Sequence, residues 1–133
     1  FMQLVTSPRI LWTLLAVYWI FLTGLLLTPQ PWQYLFNTDS TVPLLVQQSM
    51  AAYIQHLLAF AILAALAWAA STSTGRQPQP LLLLSLCCYA IITELLQLTI
   101  PERFFQWLDL LFNAAGLALG WALPALLSRS SNC

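Results

Sequence analysis

The sequence predicts an all-α membrane bundle of four transmembrane helices, and three observations carry that prediction. Hydrophobic residues make up 60% of the 133 residues and charged residues only 6%, a balance that cannot cover a water-exposed domain. Four apolar stretches, at about 10–27, 51–70, 81–100 and 108–127, are long enough to cross a hydrocarbon core. Such a core is about 30 Å thick and takes about 20 helical residues. All four arginines fall outside these stretches, and there is no lysine. Residues 1–133 therefore read as one membrane domain.

The first stretch, Ile10 to Leu27, follows Arg9 and stops at Thr28-Pro29-Gln30-Pro31, where two closely spaced prolines disfavour further helix. It lacks a small-x-small cleavage pattern and reads as a retained anchor rather than a signal peptide. Phe1 ahead of Met2 is an unusual start for a natural chain. The connection from Thr28 to Met50 carries Pro29, Pro31, Trp32, Tyr34, Leu35 and Phe36. These suit either the headgroup layer, where amphipathic aromatics collect, or an ordered loop packed over the helix ends.

The second stretch, Ala51 to Ala70, leads into STSTGRQPQP (71–80), a turn-rich linker with no evident chemistry. The third, Leu81 to Ile100, is stopped by Pro101. It contains the adjacent Cys87 and Cys88, which with Cys133 form neither a metal-ligand spacing nor a disulfide framework. The fourth runs from Leu108 to Leu127. With four spans, Arg9, Arg76 and Arg129 share one side and Arg103 lies on the other, so the positive-inside rule predicts both termini in the cytoplasm. A net charge of zero offers no basic surface for nucleic acid and no polybasic cluster for anionic lipid.

Polar groups enter the apolar stretches above all between Glu94 and Gly120, and they mark the candidate functional region. A charge at the centre of a membrane helix costs roughly 2.5–3.5 kcal/mol on insertion scales, so such groups face a protein interior or a polar cavity. Counted inward from the outer boundaries at about 1.5 Å per residue, His56, Glu94 and Asn113 lie at a common depth of roughly 7–9 Å. Glu94, Gln97 and Pro101 form one helical stripe, and Asp109, Asn113, Gly116 and Gly120 another. Facing stripes would enclose a small polar chamber toward the outer leaflet. Gly116 and Gly120 form a GxxxG pair that permits close helix approach and would seat the fourth helix against a partner.

The roles of these groups stay open at this level. Arg103 could pair with Glu94 or Asp109 through its planar fork, or hold the phosphate or carboxylate of a ligand. His56 could hydrogen-bond to Glu94 or a backbone carbonyl, or serve with Glu94 and Asp109 as a catalytic acid or base. A metal is not expected, since one histidine with two or three carboxylates shows no recognisable ligand spacing, and no cofactor is implied. Ser49 has no nucleophile elbow to support serine catalysis.

These residues carry a family resemblance. The order Glu94-x-x-Gln97, Pro101-x-Arg103, Asp109, Asn113, Gly116, Gly120 resembles the C-terminal signature of the VanZ-like family of small bacterial membrane proteins. His56-Leu57-Leu58-Ala59-Phe60 is similar to that family's histidine-plus-aromatic motif. The resemblance spans about 51–120 and departs where the family often has an acidic-basic pair shortly before the histidine, here Ala52 and Tyr53. It implies a multi-pass protein of the bacterial cytoplasmic membrane but no particular reaction, and antibiotic resistance does not transfer on fold analogy.

The leading expectation is a cell-envelope protein binding or modifying a lipid head group or lipid-linked glycan precursor. His56, Glu94 and Asp109 are the catalytic candidates and Gln97, Arg103 and Asn113 the ligand-binding ones, with Pro101, Gly116 and Gly120 packing the helices. The expected partners are membrane lipids, with a lipid-linked ligand or a partner helix. The rival is a non-catalytic subunit or assembly factor whose polar residues lock the helices together. A transporter ranks third, because no broken helix pair marks the midplane.

Overall fold

A computed structural model describes residues 7–28, 50–101 and 105–130. Among them lie four α-helices: α1 (Pro8–Leu27), α2 (Met50–Thr72), α3 (Pro80–Gln97) and α4 (Trp107–Ser130). All four are long and apolar enough to cross a membrane, and no strand occurs among the described residues. Arg103 with its neighbour Glu102, Cys133, Ser49 and the aromatic residues expected at the interface between 29 and 49 lie outside the described set.

Local chemistry explains the helix ends. Pro8 and Pro80 occupy the first turns of α1 and α3, where a missing N–H is harmless and φ is already helical. Thr28 is extended, as suits the residue before a proline in the sequence, and closes α1. After α2, Gly75 takes a φ of 74°, a left-handed turn conformation open to glycine, and donates to the Thr72 carbonyl at 3.0 Å. The third helix is shorter than the sequence suggests, ending at Gln97 rather than Ile100. Pro101 disfavours helix at the preceding residue, and the N–H groups of Leu98, Thr99 and Ile100 bond back to residues 95, 96 and 97 in a tightened last turn. The fourth helix continues through Pro124, a tolerated event in membrane helices.

Side-chain pairs give the helix directions. Tyr53 meets Phe112, His56 meets Asn113, and Leu57 and Ala61 meet Gly116 and Gly120, so α2 and α4 run parallel in the most extensive contact of the bundle. Thr23 bonds Tyr89 and Leu26 bonds Gln97, so α1 and α3 are also parallel. Asn113 bonds Glu94, joining the start of α4 to the end of α3 in an up-and-down arrangement.

Residue size selects the buried face of α2. Its interior carries Ala64, Ala67 and Ala70 beside Phe60 and Leu63, while Ile54, Leu58 and Ile62 face outward. Lipid is as apolar as leucine, so small residues that admit close backbones, rather than hydrophobicity, select the interface. Leu15, Leu22 and Leu26 of α1, Leu86 and Ala90 of α3 and Leu117 of α4 complete the core. Midway along, Tyr18 donates to the Ala59 carbonyl at 2.9 Å, and the Thr23 and Tyr89 hydroxyls pair at 2.8 Å.

Candidate functional site

The polar side chains converge at one end of the bundle, where α1 and α3 finish and α2 and α4 begin. Glu94, Gln97, Asp109 and Asn113 are all buried, and Glu94 and Asn113 have no exposed surface. His56 is the partly open member, with 13% of its side-chain surface accessible. Arg9, Arg76 and Arg129 are exposed at the opposite end.

Asn113 is the centre of this cluster. Its Nδ2 donates to Glu94 Oε1 at 3.2 Å, and its Oδ1 lies 2.9 Å from His56 Nδ1. With Glu94 ionised, its carboxylate can only accept, so the amide turns its NH₂ toward Glu94 and its carbonyl toward the histidine. That orientation makes His56 Nδ1 the donor and aims Nε2 elsewhere. Nε2 lies 3.9 Å from Asp109 Oδ2, too far for a hydrogen bond but close enough for an ion pair with a protonated ring. Asp109 sits in the first turn of α4, where the helix dipole favours negative charge. The direct His56–Glu94 bond considered from sequence is thus a bridged one, with Asn113 between them.

Gln97, a ligand-binding candidate in the sequence, is tied to α1 in this geometry. Its Nε2 donates at 3.1 Å to the carbonyl of Leu26, one of the last carbonyls of α1, which have no helical partner. Pro101 is exposed and lies beyond the last residue of α3, so it ends the helix rather than packing it. It does not share the buried stripe of Glu94 and Gln97, because the tightened turn departs from helical spacing.

Gly116 and Gly120 are buried directly below the cluster against α2. A Cβ on Gly116 would meet the Leu57 carbonyl oxygen, and one on Gly120 the Ala61 carbonyl oxygen. In glycine that direction holds a hydrogen, which points each Cα–H at a carbonyl across the interface. The close approach holds His56 and Asn113 within bonding distance one turn away.

Sequence reasoning missed Tyr53, Gln106 and Phe112. The buried Tyr53 donates its hydroxyl to Gln106 Oε1 at 3.1 Å and stacks on Phe112 with ring centroids 5.4 Å apart. Tyr53 stands three residues before His56 on the same face, a signal that could have been read. Nothing in the pattern of Gln106, just before α4, would have revealed it. The structure also brings ligand-capable atoms of His56, Glu94 and Asp109 within 4.8 Å of one another, a convergence that linear spacing concealed.

Fold and site together define a multi-pass membrane protein whose buried polar cluster lies at one end of a four-helix bundle. Residues 12–128 match the family described as VanZ/LLP1, and the chain belongs to that family. No curated protein and no solved structure matches it.

Proposed function

We propose that this chain is a cell-envelope protein of the bacterial cytoplasmic membrane that binds or modifies the polar head of an amphiphilic ligand, such as a lipid head group or a lipid-linked glycan precursor. The observation that carries this reading is the cluster of His56, Glu94, Asp109 and Asn113, buried near one end of helices that otherwise face lipid. A ligand there can keep its tail in the bilayer, and intramembrane ionisable groups mark ligand sites or pathways. The exposed arginines at the opposite end support an outer-leaflet orientation under the positive-inside rule, with both termini cytoplasmic. His56 and Asp109 at the open edge are the groups for acid-base work, and Asn113 orients the imidazole.

The test is head-group selectivity in lipid nanodiscs, read by native mass spectrometry against a panel of phospholipids and a polyprenyl-linked glycan. Wild-type protein should retain one head-group class selectively. His56→Gln and Asp109→Asn should lose that preference while keeping the wild-type melting temperature. Retention without preference, or unchanged preference in both variants, would remove the reading.

One set of observations favours a second reading, a non-catalytic subunit or assembly factor. Asn113 ties α4 to both α2 and α3, and Gln97 ties α3 to α1, so the same groups lock the bundle. Under that reading, site variants would lose stability or a partner protein first and show no altered lipid selectivity.

A further inference from the structure

We propose that His56, Asp109 and Glu94 form a binding site for a divalent transition cation, with Zn²⁺ and Mn²⁺ as the ions whose chemistry fits. The proposal goes beyond the head-group reading and does not depend on it. Three helices supply the set: His56 from α2, Glu94 from α3 and Asp109 from α4. One ligand atom from each lies within 4.8 Å of the others.

Coordination geometry places limits on the fit. Zinc–nitrogen and zinc–carboxylate distances are about 2.0–2.2 Å, so two ligands on one ion stand roughly 3–4 Å apart, depending on the angle between them. The 3.9 Å between His56 Nε2 and Asp109 Oδ2 is about 0.5 Å wider than the roughly 3.4 Å of a tetrahedral pair, a gap that a small side-chain rotation closes. The 4.8 Å spread of the full set requires a carboxylate to close by roughly 1 Å, an amount a side-chain rotation can supply.

The surroundings match what a ligating histidine needs. Such a ring donates its second N–H to a carbonyl or carboxylate, which fixes the tautomer and aims the other nitrogen at the ion. His56 Nδ1 donates to Asn113 Oδ1, and Asn113 is held in turn by Glu94, leaving Nε2 directed toward Asp109. One imidazole with two carboxylates is a mixed nitrogen and oxygen set, suited to Zn²⁺ or Mn²⁺ rather than to copper(I) or an iron–sulfur cluster. Three protein ligands leave a coordination position on the partly exposed side of His56, the arrangement of reactive rather than purely structural sites.

The test uses the full chain without an affinity tag, purified in detergent, treated with a chelator and then titrated with Zn²⁺, Mn²⁺ and the spectroscopic probe Co²⁺. Wild-type protein should take up a single Zn²⁺ or Mn²⁺ per chain, melt at a higher temperature with it, and give Co²⁺ absorption bands distinct from those of the aqueous ion. His56→Gln, Asp109→Asn and Glu94→Gln should each weaken binding by at least tenfold. Asn113→Leu, which removes no ligand but takes away the contacts that orient His56 and Glu94, should weaken it by about 10- to 100-fold. A wild-type protein that gains no stability from either ion and leaves the Co²⁺ spectrum unchanged overturns the site, and that result needs no variant to fold. Binding unchanged in all folded ligand variants also overturns it. Head-group selectivity measured in chelator separates failure of this site from failure of the ligand reading.

Discussion

Replacing Gly120 with alanine adds one methyl group where the structure leaves no room for it. The new Cβ would stand 2.7 Å from the Ala61 carbonyl carbon and 2.8 Å from Ala61 Cα, with the carbonyl oxygen closer still. Non-bonded carbons rest about 3.5–4.0 Å apart, so α2 and α4 must separate by roughly 1 Å. These neighbours are backbone atoms and cannot swing aside. Overpacking of this kind costs about 1–3 kcal/mol, against a gain of about 0.5–1 kcal/mol from removing glycine within a helix. The same separation stretches the 2.9 Å His56–Asn113 contact, adding about 0.6 kcal/mol typical of an interhelical bond in a membrane. A net loss of about 1–2 kcal/mol is therefore expected. Gly24 provides the control: it lies within α1 with nothing inside 4 Å of its Cβ position, so Gly24→Ala should stabilise by about 0.5–1 kcal/mol. Reversible unfolding in mixed detergent micelles measures both. If Gly120→Ala equals or exceeds wild type while Gly24→Ala behaves as expected, the close α2–α4 approach is not the packing that holds the bundle.

Asn113→Leu keeps volume but removes the contacts to His56 and Glu94, and should cost about 1–3 kcal/mol in the same unfolding assay. A neutral result would mean that the cluster contributes no stability. Gln97→Leu strands the Leu26 carbonyl near the end of α1 and should cost about 1 kcal/mol, with faster amide exchange at the neighbouring α1 terminus. Cys133, with Cys87 and Cys88 replaced by alanine, should resist a membrane-impermeant thiol reagent in intact cells and react after permeabilisation. Prompt labelling of intact cells would invert the proposed orientation.

The four helices were legible because length and composition suffice for membrane spans, and a proline or glycine marks both ends of α1 and α3 and the end of α2. Which face turns inward was harder to read, since beyond His56 α2 is apolar on every side up to Ser71 and its interior is marked by alanines rather than by an amphipathic stripe. The Asp109–Asn113–Gly116–Gly120 stripe was visible because one face of α4 carries its polar and small residues, and all four are buried. Pro101 misled the stripe on α3, because helical spacing was extended through a turn that the proline itself had ended. Asn113 as the link between His56 and Glu94 could not be read, because a shared depth does not say which of three side chains stands between the other two.

The departure at Ala52 and Tyr53 changes what this site can do. An acidic-basic pair shortly before the histidine would offer charged groups near His56 on its own helix. Here Ala52 is buried, and the Tyr53 hydroxyl donates to Gln106. A neutral bond and a stacked ring hold the start of α2 to the entry of α4, a mechanical role with no charge. Among the described residues of the cluster, ionisable chemistry therefore rests with His56, Asp109 and Glu94. Because Asn113 commits His56 Nδ1 as a donor, Nε2 is the nitrogen left to exchange a proton or take a cation, and Asp109 Oδ2 lies 3.9 Å from it. Under the head-group reading proposed above, proton exchange at this cluster would run between Nε2 and Asp109, at its least buried edge.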